Sequence, residues 1–150
     1  MTIGIRYVAP LLDTSGYAQA GRDYIRVIHE QLKIPLTTEI ISFEQHAHKV
    51  NVGPGSDLAK SLHRKPTDYD TNIIHATPEN FHKFYQLGKR NIGYCTWETS
   101  KLPHHRITQC NMMQEIWVPS QYNLDVFKNS GVTVPIKILP HVAPIELFQK

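Results

Sequence analysis

The sequence predicts an α/β domain: a mainly parallel sheet of about six strands with helices on both faces. Three observations lead there. Short apolar runs of strand length alternate with helix-period patterns from one end of the chain to the other. Several of the helical patterns carry their own start and stop residues, Ser15, Thr77-Pro78 and Ser120 at the beginnings, Gly88 and Gly131 at the ends. The chain has 150 residues, 41% of them hydrophobic, enough to bury the core of one domain.

Ile3 to Val8, rich in Ile, Tyr and Val, reads as a buried strand, followed by the loop "APLLDTSG". From Tyr17 to Lys33 the apolar residues Tyr17, Ala20, Tyr24, Ile28 and Leu32 recur at three and four residues. That spacing makes one helical face, with Arg22, Arg26 and Glu30 opposite it and Ser15 as N-cap. Thr38 to Phe43 is the second strand. Residues 44–70 are polar and broken at Gly53-Pro54-Gly55, so a long loop is expected, with at most a short helix over Asp57 to His63. Asn72 to Ala76 is the third strand, and a helix from Pro78 to Leu87 follows. Ile92 to Thr96 is the fourth strand and Pro103 to Met112 the next helix. Glu115 to Pro119 gives a fifth strand, Gln121 to Ser130 a helix ended by Gly131, and Ile136 to Pro140 a sixth strand.

Composition narrows the classes of function. Charged residues are 19% of the chain, and the net charge of +3 arises from 16 basic and 13 acidic residues with no basic stripe or tail. A nucleic-acid partner therefore has little support. Cys95 and Cys110 lack the spacing of a metal site or a disulfide framework, and two free buried thiols are expected. No window reaches transmembrane length and the N-terminus lacks a signal-peptide core, so a cytoplasmic protein is expected.

In a parallel α/β sheet, ligands sit beyond the carboxyl ends of the strands. Those ends carry "APLLDTSG", "ATPEN", "TWETSKLP", "PSQYN" and "PHVAP". Other motifs are set aside on position. Asp68-Tyr69-Asp70 has the Asp-x-Asp form of a metal site but precedes a strand, which makes it turn chemistry. His46 with His48, and His104 with His105, lack further ligands, so no metal site is expected. "GPGSD" lacks the Gly-Lys-Ser/Thr ending of a phosphate loop, and no G-x-S-x-G elbow is present.

"GYCTWETSKLP" (93–103), "NMMQEIWVPSQYNLDVFKNSGV" (111–132) and "IKILPHV" (136–142) together resemble the N-terminal domain of retaining glycosyltransferases of the GT-B fold. The likeness is to the large family of bacterial lipopolysaccharide and mannosyl transferases. "PLLDTSGYAQAGR" is similar to that family's glycine-containing loop after the first strand, and only residues 44–67 go unmatched. The family's Pro-His-Gly turn reads Pro140-His141-Val142 here.

The resemblance implies an acceptor-side Rossmann-like domain over residues 1–141, with 142–150 beginning the link to a donor-binding C-terminal domain that lies outside this chain. The reaction implied is sugar transfer from a nucleotide-sugar donor to a carbohydrate or other hydroxyl acceptor, with retention and without metal or other cofactor, and this domain alone is expected to be inactive. Ser15, Gly16 and Tyr17 would meet the donor's phosphates or sugar at a helix N-terminus, or would simply form a strand-to-helix turn. Glu98 is the candidate catalytic carboxylate, orienting an acceptor hydroxyl or moving its proton, and Trp97 a flat face for sugar C–H groups; the plainer alternative has Trp97 in the core and Glu98 as a loop cap. His75 and His141 are further candidate sugar contacts, or satisfied buried groups, and Arg6 reads as half of a structural ion pair. A stand-alone sugar- or nucleotide-binding or assembly module without chemistry is the alternative function, and the face built for a second domain would favour a homodimer.

Overall fold

In the computed structural model the described residues are 3–43 and 53–143. Six strands form one all-parallel sheet in the order β2-β1-β3-β4-β5-β6, flanked by helices, which is a Rossmann-like α/β fold as the sequence predicts. The chain divides into two compact units, Met1–Tyr69 with His141–Lys150, and Asp70–Pro140.

In the first unit, β1 (Ile5–Ala9) pairs with β2 (Leu36–Ile40), from Ile5 opposite Leu36 to Ala9 opposite Ile40. Helix α1 (Gly16–Arg26) starts where expected: the Ser15 hydroxyl accepts from the Ala18 N–H at 3.2 Å. Its expected continuation to Lys33 is not α-helical. Val27–Gln31 is a π-helical segment in which Leu32 N–H donates to the Val27 carbonyl, and Lys33 leaves it at φ +52°. The wider turn rotates the following residues off the apolar stripe. Ile28 stays buried, but Leu32, expected on the core face, is 59% exposed.

Arg22 also departs from expectation. It lies on the buried side, not the polar one, because its guanidinium donates to the carbonyls of Leu11 and Asp13, both at 3.0 Å. Burial lowers the Arg22 pKa, while Asp23 and Asp13 pull it the other way.

The expected loop around Gly-Pro-Gly opens helix α2 (Pro54–Leu62), with Pro54 in its first turn, so the helix begins three residues earlier than the polarity suggests. Strand β2 likewise starts two residues earlier than Thr38 and stops at Ile40. Its threonines are buried by α2: Thr37 Oγ1 donates to the Leu62 carbonyl at 3.2 Å and Thr38 Oγ1 to that of Ala59 at 2.9 Å. The segment after α2 then runs along the same strand, with Arg64 N–H on the Thr38 carbonyl and Ile40 N–H on His63 Nδ1. Arg64 donates three hydrogen bonds to Glu39, at 2.7, 3.0 and 3.3 Å.

In the second unit, β3 (Thr71–His75), β4 (Arg90–Tyr94), β5 (Glu115–Val118) and β6 (Ile136–Ile138) pair in parallel in sequence order. Asp68 to Asp70 precede β3 as expected, and Asp70 Oδ1 accepts from the Thr71 hydroxyl. The helix expected from Pro78 to Leu87 is much shorter: a 3₁₀ turn (Pro78–Asn80), then α3 (Phe81–Phe84). Buried asparagines compete for its last backbone groups. Asn72 Nδ2 donates to the Phe84 carbonyl, and the Asn91 amide both accepts from Gln86 N–H and donates to the Gln86 carbonyl.

Phe81 seats against β4 at Gly93, where a Cβ would lie 2.5 Å from the Phe81 ring, so only glycine fits. Helix α4 (His104–Asn111) and helix α5 (Gln121–Ser130) match their expected spans closely. Ser120 caps α5 through Asn123 N–H, and Gly131 ends it at φ +115°, a left-handed conformation that favours glycine. Tyr94, Phe81, Ile74, Ile92, Ile116 and Phe127 fill this unit's core.

Among the described residues no helix is long and apolar enough to cross a membrane. His46, His48 and most of the expected linker, 144–150, lie outside the described residues.

Candidate functional site

In the unit Asp70–Pro140, the expected ligand edge begins with His75 at the end of β3. Its ring is 1% exposed and lies against Tyr94, centroids 4.4 Å apart and tilted by 31°. Tyr94 in turn donates its hydroxyl to the Leu139 carbonyl at 2.6 Å. His75 is thus packed inside, beneath the edge on which the sequence places it.

Trp97 follows β4 and is held at three points. Its backbone N–H donates to Asn123 Oδ1 at 2.6 Å, and Asn123 Nδ2 donates to Ser120 Oγ at 3.1 Å. The capped start of α5 therefore anchors the loop after β4. The indole N–H donates within its own loop, to Thr99 Oγ1 at 2.8 Å and the Lys101 carbonyl at 3.0 Å. One face of the ring is covered by Arg106 from α4, whose guanidinium carbon is 4.5 Å from the ring centroid. Trp97 is partly exposed, neither a free platform nor a core residue.

Glu98 is the next residue in the chain after this fixed ring. It is exposed and makes no hydrogen bond or ion pair among the described residues, so the cap role considered from the sequence has no partner there. Arg106 and Asn123, which set the position of Trp97, were not singled out by sequence reasoning. Arg106 lies nine residues beyond Trp97 and Asn123 twenty-six, so only the three-dimensional fold brings them to the ring. Arg106 also meets Glu79 at 3.4 Å. Its Nε, Glu79 Oε2 and Gln109 Oε1 are shielded from solvent without a hydrogen-bond partner.

Beneath the same loop, Cys95 and Cys110 are both buried and unbridged, as expected. Burial pushes the Cys95 thiol well above its ordinary pKa, and the neighbouring Cys110 adds to the effect. An inert thiol pair results, not a nucleophile.

In the other unit, the loop after β1 is held from inside. Arg22 draws in its carbonyls, and the buried Asp13 carboxylate accepts from Ser42 Oγ at 3.0 Å and Phe43 N–H at 2.9 Å. Tyr17 packs edge-on to Phe43, centroids 5.8 Å apart. At the head of α1, Ser15 satisfies the N–H of Ala18 with its hydroxyl and that of Gln19 with its carbonyl. Gly16 opens the helix, and a Cβ built there would meet nothing within 4 Å.

His141 belongs to this unit, its ring 6.5 Å from that of Tyr24. Desolvation holds its pKa below the ordinary 6.5, against the opposite pull of Asp23. Arg6 is half-buried on β1 and its charge helps lower the Glu39 pKa, after the larger hydrogen-bond effect of Arg64. Among the described residues no group of three or more His, Cys, Asp or Glu side chains is placed to hold a metal ion.

Compared with known proteins, the chain matches no protein-family model and no curated protein sequence. The chemistry of the edge residues therefore carries the functional reading.

Proposed function

We propose that the chain is the acceptor-side domain of a retaining glycosyltransferase that needs no metal, working with a donor-binding domain to move a sugar from a nucleotide-sugar to a hydroxyl acceptor. The observation that supports this most is the pairing of an exposed, unpartnered Glu98 with an indole fixed through its backbone and its ring N–H. A rigid aromatic beside a free carboxylate suits a sugar: C–H groups lie on the ring surface that Arg106 leaves open, and hydroxyls donate to the carboxylate. In this reading Glu98 orients the acceptor hydroxyl, Ser15, Gly16 and Tyr17 meet the donor phosphates at the head of α1, and His141 contributes a sugar contact. His75 acts from behind by supporting Tyr94.

A second reading has a specific observation in its favour. A proton-transfer group is normally held by neighbours that fix its geometry, and Glu98 has none among the described residues. That favours a sugar-binding module without chemistry.

Saturation-transfer NMR on the 150-residue chain with a panel of neutral glycosides tests the shared premise. Sugar signals that disappear in both Trp97→Ala and Glu98→Gln, with melting temperatures unchanged, are expected. Signals equal in wild type and both variants would remove this edge from either reading. In a protein carrying both domains, Glu98→Gln should lower turnover by at least about tenfold if the carboxylate takes part in the chemistry; unchanged turnover would leave the binding reading alone.

A further inference from the structure

At the opposite, amino-terminal end of β1 and β2 lies a cleft of about 570 Å³, within the range of small-molecule sites. Its apolar lining residues are Ile3, Ile34, Leu36 and Leu62, and His29, Lys33 and Lys65 line it as well. None of these three basic groups has a hydrogen bond or ion pair among the described residues, and a single carboxylate, Asp68, shares the lining. Nothing in the fold calls for three basic side chains around one apolar hollow.

The backbone is unusual at the same place. His29 rides on the π-helical segment and Lys33 closes it at φ +52°. The other described non-glycine residue with positive φ, Arg64 at +52°, immediately precedes Lys65. A π turn and two left-handed side-chain-bearing residues each cost conformational energy, and such features gather at functional sites more often than elsewhere. Here they fall at or beside residues that line one hollow. A smaller cleft of about 230 Å³ adjoins it through Lys65, Pro66 and Thr67, and there Arg64 is paired with Glu39.

We propose that this cleft binds a small amphipathic anion, an apolar chain or ring bearing one acidic head such as a carboxylate, sulfonate or phosphate ester. The apolar body lies on Ile3 and Ile34, which are accessible where Leu36 and Leu62 behind them are buried, and the head pairs with Lys33 and Lys65. The volume suits a small molecule, and three basic residues against one carboxylate favour an acidic head over a cationic one. This site is independent of the sugar-binding reading, since it lies at the other end of the strands from the Ser15 turn.

The test uses 1-anilinonaphthalene-8-sulfonate as a fluorescent probe with the whole 150-residue chain at neutral pH, with decanoate, decanol and inorganic phosphate as competitors. Saturable binding at one site is expected, displaced by decanoate and not by decanol. Phosphate alone should compete weakly, and if it competes as well as decanoate the apolar floor plays no part and the proposal fails. The double reversal Lys33→Glu/Lys65→Glu should weaken binding about tenfold, a change of about 1.4 kcal/mol. Both positions are exposed, and circular dichroism and the melting temperature check that the variant folds. Non-saturable binding, or affinity unchanged by the reversal in a folded variant, would overturn the assignment. Lys89→Glu/Lys128→Glu, far from the cleft in sequence and outside its lining, controls for net charge and should leave affinity within about twofold.

Discussion

Asn91 offers the sharpest test of how this fold is held. It is fully buried at the second position of β4, opposite Asn72 of β3. Its side chain makes four hydrogen bonds: Nδ2 donates to the carbonyls of Gln86 and Lys89, both at 2.9 Å, and Oδ1 accepts from Asn72 Nδ2 at 2.8 Å and Gln86 N–H at 2.9 Å. With about 0.5–1.5 kcal/mol net per bond, and some of the freed groups near enough to solvent to find water, Asn91→Ala should cost about 3 kcal/mol. In a domain of this size that corresponds to a fall of about 6–12 °C in melting temperature. Asn91→Asp is the more diagnostic change. A carboxylate can still accept from Asn72 and Gln86, but it has no proton for the two carbonyls and carries a charge into the core. Its folded-state pKa should therefore rise above the ordinary aspartate value. Stability held below the unfolded-state pKa is then lost as pH rises through the folded one, so the penalty is larger at pH 7 than at pH 4. Urea unfolding followed by circular dichroism at both pH values measures this. An Asn91→Asp protein within about 0.5 kcal/mol of wild type at pH 7 would refute the two-donor arrangement.

Three further outcomes follow from the same packing. Gly93→Ala places a Cβ 2.5 Å from the Phe81 ring and 3.0 Å from Ile116 Cδ1, and should cost about 1–3 kcal/mol in thermal unfolding; Phe81→Leu in the same chain should couple with it rather than add. Hydrogen bonding from Arg64 lowers the Glu39 pKa, so the stability this pair gives is present above the unfolded-state value near 4.5 and lost as pH falls through the folded one. The deficit of Arg64→Gln relative to wild type should accordingly shrink on acidification below pH 4.5, and persist unchanged only if the pair is not formed. Cys95 and Cys110 should react slowly with a thiol reagent in the native protein and rapidly, two per chain, in denaturant; fast native labelling would contradict their burial.

The sheet was legible in the sequence because its signals are local. Each strand is a short apolar run, and Ser15, Ser120 and Gly131 mark helix ends through contacts of three residues or fewer. Failures came where distant groups intervene. The helix after Pro78 stops early because Asn72 and Asn91, from two strands, take over its last backbone groups. Arg22 is buried because a loop eleven residues earlier turns its carbonyls inward. No periodicity announces the π-helical segment, since one wider turn displaces only the residues after it. The site divided the same way: Trp97 and Glu98 were visible as an aromatic and a carboxylate at a strand end, whereas the covering of the ring by Arg106 depends on how α4 crosses that end.

The two ends of the sheet differ in what they leave exposed to another molecule. Along β2, the Thr38 carbonyl and the Ile40 N–H are already taken by Arg64 and His63 of the segment after α2. A strand arriving there would have to displace both of those bonds before it could pair. At the other end β6 is three residues long, with Lys137 in the middle and Ile138 40% exposed. So short a strand with a lysine at its centre offers little ladder for another chain to extend, and its charge opposes a close approach.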